Sequence, residues 1–161
     1  MKWVLGTGRC GLHSYTAWKG GTIDSNGPIR ELAVKKYQDS LTPEENEYVL
    51  DFFRKRSKLN TPFIVDCVQF MFMREIIQVD PKAEFIWIVG EKPKVIEGFM
   101  SKVAEDKRIH PKGWDFKYEN KRKLLAWYYD EVNKIIEGNL MALNKKFEKV
   151  LTKDIPVTVQ K

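Results

Sequence analysis

The chain alternates short unbroken apolar runs with longer stretches in which apolar residues recur every three or four positions. Trp3, Val4 and Leu5 make the first run, Phe63, Ile64 and Val65 stand at the heart of the second, and residues 84–89 (Glu-Phe-Ile-Trp-Ile-Val) are the third and most apolar. Runs without in–out alternation are the pattern of strands buried on both faces, as in parallel sheets. They predict strands over residues 2–6, 62–68 and 84–90.

Helical periodicity fills the intervals. Pro28 suits the first position of a helix over residues 28–37, with Ile29, Leu32, Ala33 and Tyr37 on one face. Thr42-Pro43-Glu44-Glu45 is a capping box with proline just inside it. The helix it opens turns Tyr48, Val49, Phe52 and Phe53 inward and ends in Arg54-Lys55-Arg56, cations that suit a helix's negative end or, alternatively, a phosphate. Residues 69–79 read as a core helix through Phe70, Met71, Met73, Ile76 and Ile77, and the stretch after Gly90-Glu91-Lys92-Pro93-Lys94, through residue 106, as another with Val95, Ile96, Phe99 and Val103 facing in. Residues 119–151 read as one long amphipathic stretch that Gly138 is able to kink or break. Residues 15–26 read as a short helix running into a polar loop, 107–118 as a basic and aromatic loop, and 155–159 as a short edge strand or a loose tail. Strands separated by helices predict a three-layer α/β/α sandwich around a central parallel sheet. Ligands bind such sheets beyond the carboxyl ends of the strands, where Gly6, Asp66 and Gly90 fall.

Composition narrows the class without choosing a function. A chain of 161 residues, 43% hydrophobic and 31% charged, is expected to fold as one soluble domain with a real core. No apolar run approaches the roughly 18 residues of a membrane span, and no signal-peptide pattern precedes the first strand. Two cysteines, Cys10 and Cys67, make no disulfide framework, so a cytoplasmic location is expected. The net charge of +6 suits an anionic ligand; the cations are interleaved with acids instead of forming a stripe, so no nucleic-acid partner is expected. Oligomeric state leaves no signature in the sequence.

The chemistry concentrates between the first strand and the residues after it. Gly6-Thr7-Gly8-Arg9-Cys10-Gly11-Leu12-His13-Ser14 is a glycine-rich loop carrying one fixed cation. Strand, glycine loop and helix N-terminus in succession make an anion site, because glycine lets backbone N–H groups approach a phosphate or sulfate closely. Gly6 and Gly11 satisfy the outer spacing of the nucleotide-hydrolase P-loop, but Leu12 and His13 stand where its lysine and Mg²⁺-binding hydroxyl belong. Gly6, Gly8 and Gly11 also fit a dinucleotide fingerprint, but Gly20-Gly21 interrupts too early for that unit.

Gly6-Thr-Gly-Arg-Cys-Gly11 after an N-terminal strand resembles the 5′-phosphosulfate loop of the sulfotransferases, commonly G-x-x-R-S-G-T, with Cys10 at the serine and Leu12 at the threonine. Residues 81–101 resemble that family's P-x-A-K-F-I-x-x-V-R-x-P-x-D-V-x-x-S-F stretch, and Trp127 to Asn133, with one residue more between them, its later W-x-x-x-x-N helix, so roughly half of the chain takes part. The resemblance implies a P-loop-like fold of sulfotransferase type and the donor PAPS (3′-phosphoadenosine-5′-phosphosulfate, product PAP), with no metal expected. It places Gly6, Thr7, Gly8, Arg9, Cys10, Gly11, Leu12, His13 and Ser14 at the donor, with Lys92 as a further cation. Gly90 and Gly98 occupy the positions of the family's arginine and serine for the donor's 3′-phosphate.

Sulfuryl transfer asks for a cation at the leaving oxygen, which Arg9 supplies, and a base for the acceptor's proton. His13 is the first candidate base because imidazole titrates near neutrality, with Asp24, Asp66 and His110 as rivals. The acceptor is expected to be a small molecule or a glycan or peptide, held by residues 15–27 and 107–118 with Tyr15, Trp18, Trp114 and Tyr118. Two other readings stay open: a catalytically degenerate binding protein on the same fold, and a nucleotide kinase-like enzyme with Asp66 at Mg²⁺.

Overall fold

In the computed structural model, which describes residues 1–101 and 121–156, five strands pair in parallel in the spatial order β2-β3-β1-β4-β5. The strands are β1 (Lys2–Leu5), β2 (Thr22–Asp24), β3 (Phe63–Val65), β4 (Glu84–Val89) and β5 (Phe147–Leu151). The helices between them are α1 (Leu12–Lys19), α2 (Gly27–Tyr37), α3 (Pro43–Arg56), α4 (Met73–Val79), α5 (Lys92–Met100) and α6 (Lys121–Leu143). This is an α/β fold around a central parallel sheet, as the strand pattern predicts.

β1 lies at the centre because nothing in it tolerates water. Trp3, Val4 and Leu5 are fully buried, and the Trp3 ring meets Phe53 and Phe63 edge-on. The one polar atom of that indole donates to Asp80 Oδ2 at 2.9 Å, so its burial leaves no donor unpaired. β1 pairs with β3 on one side and β4 on the other. The chain leaves β1 toward β2, then passes from β3 across β1 to β4, so the sheet reverses its winding at the carboxyl end of β1. Crevices form at such a switch point.

The capping box of α3 is present as the sequence predicts: Thr42 Oγ1 accepts from Glu45 N at 3.1 Å and Glu45 Oε1 from Thr42 N at 3.0 Å. Arg56, at the end of α3, donates to Phe52 O, stacks on the Phe52 ring and pairs with Asp24; Arg54 and Lys55 pair with Asp51. The cationic cluster therefore serves the helix end and the neighbouring strand.

Two strands depart from the expectation. The expected polar loop contains β2, a three-residue edge strand too short to show a pattern and defined by its pairing with Phe63, Ile64 and Val65. The expected stretch over residues 119–151 is helix only to Leu143; Asn144 then takes φ 48°, the left-handed conformation that ends helices, and residues 147–151 pair with β4 along its length. Leu140, Leu143 and Phe147 keep a helical spacing across this break, which is why periodicity alone misses it. The run over residues 69–79 begins as a 3-10 turn at Gln69–Phe72 before α4. Residues 102–120, with Val103 of the expected helix through residue 106 and with His110, Trp114 and Tyr118, and residues 157–159 of the expected tail lie outside the described residues. No helix among the described residues is long and apolar enough to cross a membrane.

α6 runs through Gly138 unbroken, and that glycine faces open space. Gly138→Ala is expected to stabilise the fold by about 0.5–1 kcal/mol, measured by urea denaturation, since only the helix propensity changes.

Candidate anion-binding site

The loop at the switch point is built by close approach. A Cβ on Gly6 would lie 2.8 Å from Cys10 Sγ and from Leu12 Cδ2, and 3.1 Å from Ile88 O of β4. One on Gly90, just past β4, would lie 2.6 Å from Val95 Cγ2 and 3.1 Å from Cys10 Cβ. Gly8, Arg9 and Gly11 all take positive φ (83°, 51° and 96°), so the backbone reverses within six residues and delivers the chain into α1. For Gly8 and Gly11 that conformation is free of Cβ strain; Arg9 adopts it as a non-glycine residue.

The loop's carbonyls are held by specific donors. Tyr128 OH of α6 donates to Thr7 O at 3.1 Å, Thr7 Oγ1 to Gly8 O at 2.7 Å, and Tyr15 N to Gly11 O at 2.8 Å. Thr152, in the 3-10 turn Thr152–Asp154 after β5, donates to Cys10 O and shares its proton with Val89 O at 3.3 Å. Tyr129 OH donates to Gly90 O at 2.6 Å. Gly11 caps α1 without a side-chain hydrogen bond, and no acid stands in the helix's first turn. Among the described residues no side chain caps that end of α1, so it presents helix N–H groups and positive partial charge toward the loop.

The candidate residues separate into three groups. Gly6, Thr7, Gly8, Cys10 and Leu12 are buried, so their side chains shape the loop and only backbone can face a ligand. Arg9 and His13 are exposed, and Ser14 is half-buried. Arg9 makes no hydrogen bond or ion pair among the described residues; its stem crosses α5 at Gly98, where an added Cβ would stand 3.3 Å from Arg9 Cβ. The third group is tied elsewhere. Asp24 holds Arg56 at 3.0 Å, and Lys92 holds Asp130 at 2.8 Å. Asp66, with φ 46° at the end of β3, accepts from Asn26 N, Ser25 Oγ and Arg30 Nη2 and so clamps the start of α2 to the sheet.

The motif residues of α6 also bind structure. Trp127 meets Tyr37 edge-on, and Asn133 accepts from the Trp87 indole at 3.0 Å. Sequence reasoning missed Tyr128, Tyr129 and Thr152 as partners of the loop. Their hydroxyls come from elements far along the chain, so no local pattern announces them.

Both cysteines lie under the loop as poor nucleophiles. Burial pushes the Cys10 thiol up, against the smaller opposing influence of the Thr7 side chain and of the loop's amides. Burial, with Asp66 and Cys10 adding, pushes Cys67 up to about 11.

No family model and no curated protein sequence matches the chain. Among solved structures it is similar to a gluconokinase from Sinorhizobium meliloti 1021, with a TM-score of 0.50 and 13% identity over 99% of this chain and 88% of the gluconokinase. At that identity the likeness shows the fold, a P-loop-like parallel sheet.

Two predictions follow from this geometry. Gly90→Arg, which drives a side chain into Val95 and Cys10, is expected to unfold the loop region and lower the thermal midpoint by several degrees in calorimetry. The unfolded chain releases the Cys67 proton near 9.0 and the folded chain near 11, so this contribution to stability is complete below pH 9 and is lost as pH rises to about 11. Urea melts across that window are expected to fall less steeply for Cys67→Ala than for wild type.

Proposed function

We propose that the loop over residues 6–14 holds the phosphate end of a nucleotide-type donor and that the protein is a group-transfer enzyme. One observation carries this reading: an exposed arginine without a partner among the described residues stands in a glycine loop that opens on the N-terminus of α1, which has no side-chain cap, at the sheet's switch point.

Of the transfer chemistries, sulfuryl transfer from PAPS agrees best with the residues. Phosphoryl transfer on a P-loop uses a lysine at the phosphates and a hydroxyl at Mg²⁺. Here Leu12 is buried against Gly6 and His13 stands at the hydroxyl's place. In sulfuryl transfer the bond between sulfur and the phosphate's bridging oxygen breaks as sulfur joins the acceptor oxygen or nitrogen. Arg9 would neutralise the leaving phosphate oxygen, and His13, exposed on α1, would take the acceptor's proton. Asp24 serves less well as that base because it already neutralises Arg56. The glycines at 90 and 98 argue for a donor site altered from the family's, since the space of the lost side chains is filled by Cys10 and by the Arg9 stem.

The second reading is phosphoryl transfer, favoured by the structural likeness to a gluconokinase. Calorimetric titration with PAP in EDTA separates the two. Micromolar binding that Arg9→Ala weakens at least tenfold is expected. Binding of ATP that requires Mg²⁺, with none of PAP, would support the kinase reading instead. A folded protein that binds PAP but transfers sulfate to no acceptor would be the degenerate binder.

A further inference from the structure

We infer that Thr152 is a positioning residue for the anion site: its hydroxyl, delivered by β5, sets the peptide between Cys10 and Gly11 so that the Gly11 amide faces the ligand. The inference rests on the loop being the anion site proposed above.

A trans peptide is planar, and its C=O and N–H point in opposite directions. Whatever fixes a carbonyl therefore fixes the next residue's amide. The Cys10 carbonyl is fixed by Thr152, and the Gly11 carbonyl by the first turn of α1 through Tyr15 N. The amides turned the other way belong to Gly11 and Leu12, the two that begin α1 and continue its N-terminal charge. Fixing Thr7 O through Tyr128 has a different result, because the Gly8 amide it turns lies ahead of the reversal at Gly8, Arg9 and Gly11 and not at the start of α1. Thr152 is thus a side chain from outside the loop that orients an amide at the helix entrance.

The fold places Thr152 there by strand pairing. Val89 and Leu151 are register partners at the ends of β4 and β5, so the next residue of β5 arrives beside Gly90 and the loop. The 3-10 turn is closed by Ile155 N donating to Thr152 O at 3.1 Å. The same side chain packs on the loop: a Cβ on Gly11 would stand 3.3 Å from Thr152 Cγ2 and 3.2 Å from Ile155 Cδ1. Two contacts, one polar and one apolar, hold a single peptide.

The test follows the backbone amide resonances of the full chain during titration with inorganic pyrophosphate. In wild type, the Gly11 and Leu12 amides are expected to shift most. Thr152→Val keeps the methyl contact and loses the hydroxyl; it is expected to bind about tenfold more weakly, with an unchanged circular dichroism spectrum, while Thr152→Ser restores binding. Wild-type binding by a folded Thr152→Val would overturn the positioning role and leave the loop reading intact. Failure of wild type to shift any amide of residues 8–14 would overturn the loop reading and this inference with it. If Thr152→Val does not fold, the serine variant decides: wild-type affinity supports the hydroxyl's role, and lost affinity in a folded serine variant contradicts it.

Discussion

The carboxyl ends of β1 and β4 close around the Cys10 side chain so tightly that neither Gly6 nor Gly90 has room for a Cβ. This contact decides much else. It brings the loop's backbone against β4, with the chain reversing through Gly8, Arg9 and Gly11 at positive φ before α1 begins. It also excludes the arginine that the sulfotransferase pattern would place at position 90, because Val95 and Cys10 already fill that space. Gly98 extends the same exchange, giving its surface to the stem of Arg9.

Around that contact the fold acts as a set of clamps from distant parts of the chain. α6 contributes Tyr128 and Tyr129, and the turn after β5 contributes Thr152. Each satisfies a carbonyl near the switch point, where an unpaired polar group would cost about 1–3 kcal/mol. On the far side, Asp66 and Asp24 do the corresponding work through Arg30 and Arg56, holding α2 and α3 to the strand ends. Charged groups that look available in the sequence are thereby consumed by architecture. Arg9 stands apart in lacking any such partner among the described residues.

The central strands and the α3 capping box were legible because each rests on local information: an apolar run buried on both faces, or a reciprocal hydrogen bond three residues apart. The edge strands were not. β2 is three residues long, and β5 carries Glu148 and Lys149 on an edge where charge suits solvent. The glycine loop was visible as a loop, and its position beside β4 followed from strand alternation. What held it could not be read, since Tyr128 and Thr152 lie more than a hundred residues away in sequence. Asp66 looked like a free carboxylate at a strand end; only the fold shows the three donors it receives.

The chemistry proposed for this protein depends on the loop over residues 6–14 being an anion cradle. The most direct measurement is the diffraction of crystals grown with PAP, because it locates the phosphate itself. A phosphate within hydrogen-bond distance of the Gly11 and Leu12 amides, with the Arg9 guanidinium turned onto it, is the predicted result. A phosphate bound elsewhere on the protein, with the loop unchanged and Arg9 directed to solvent, would contradict it.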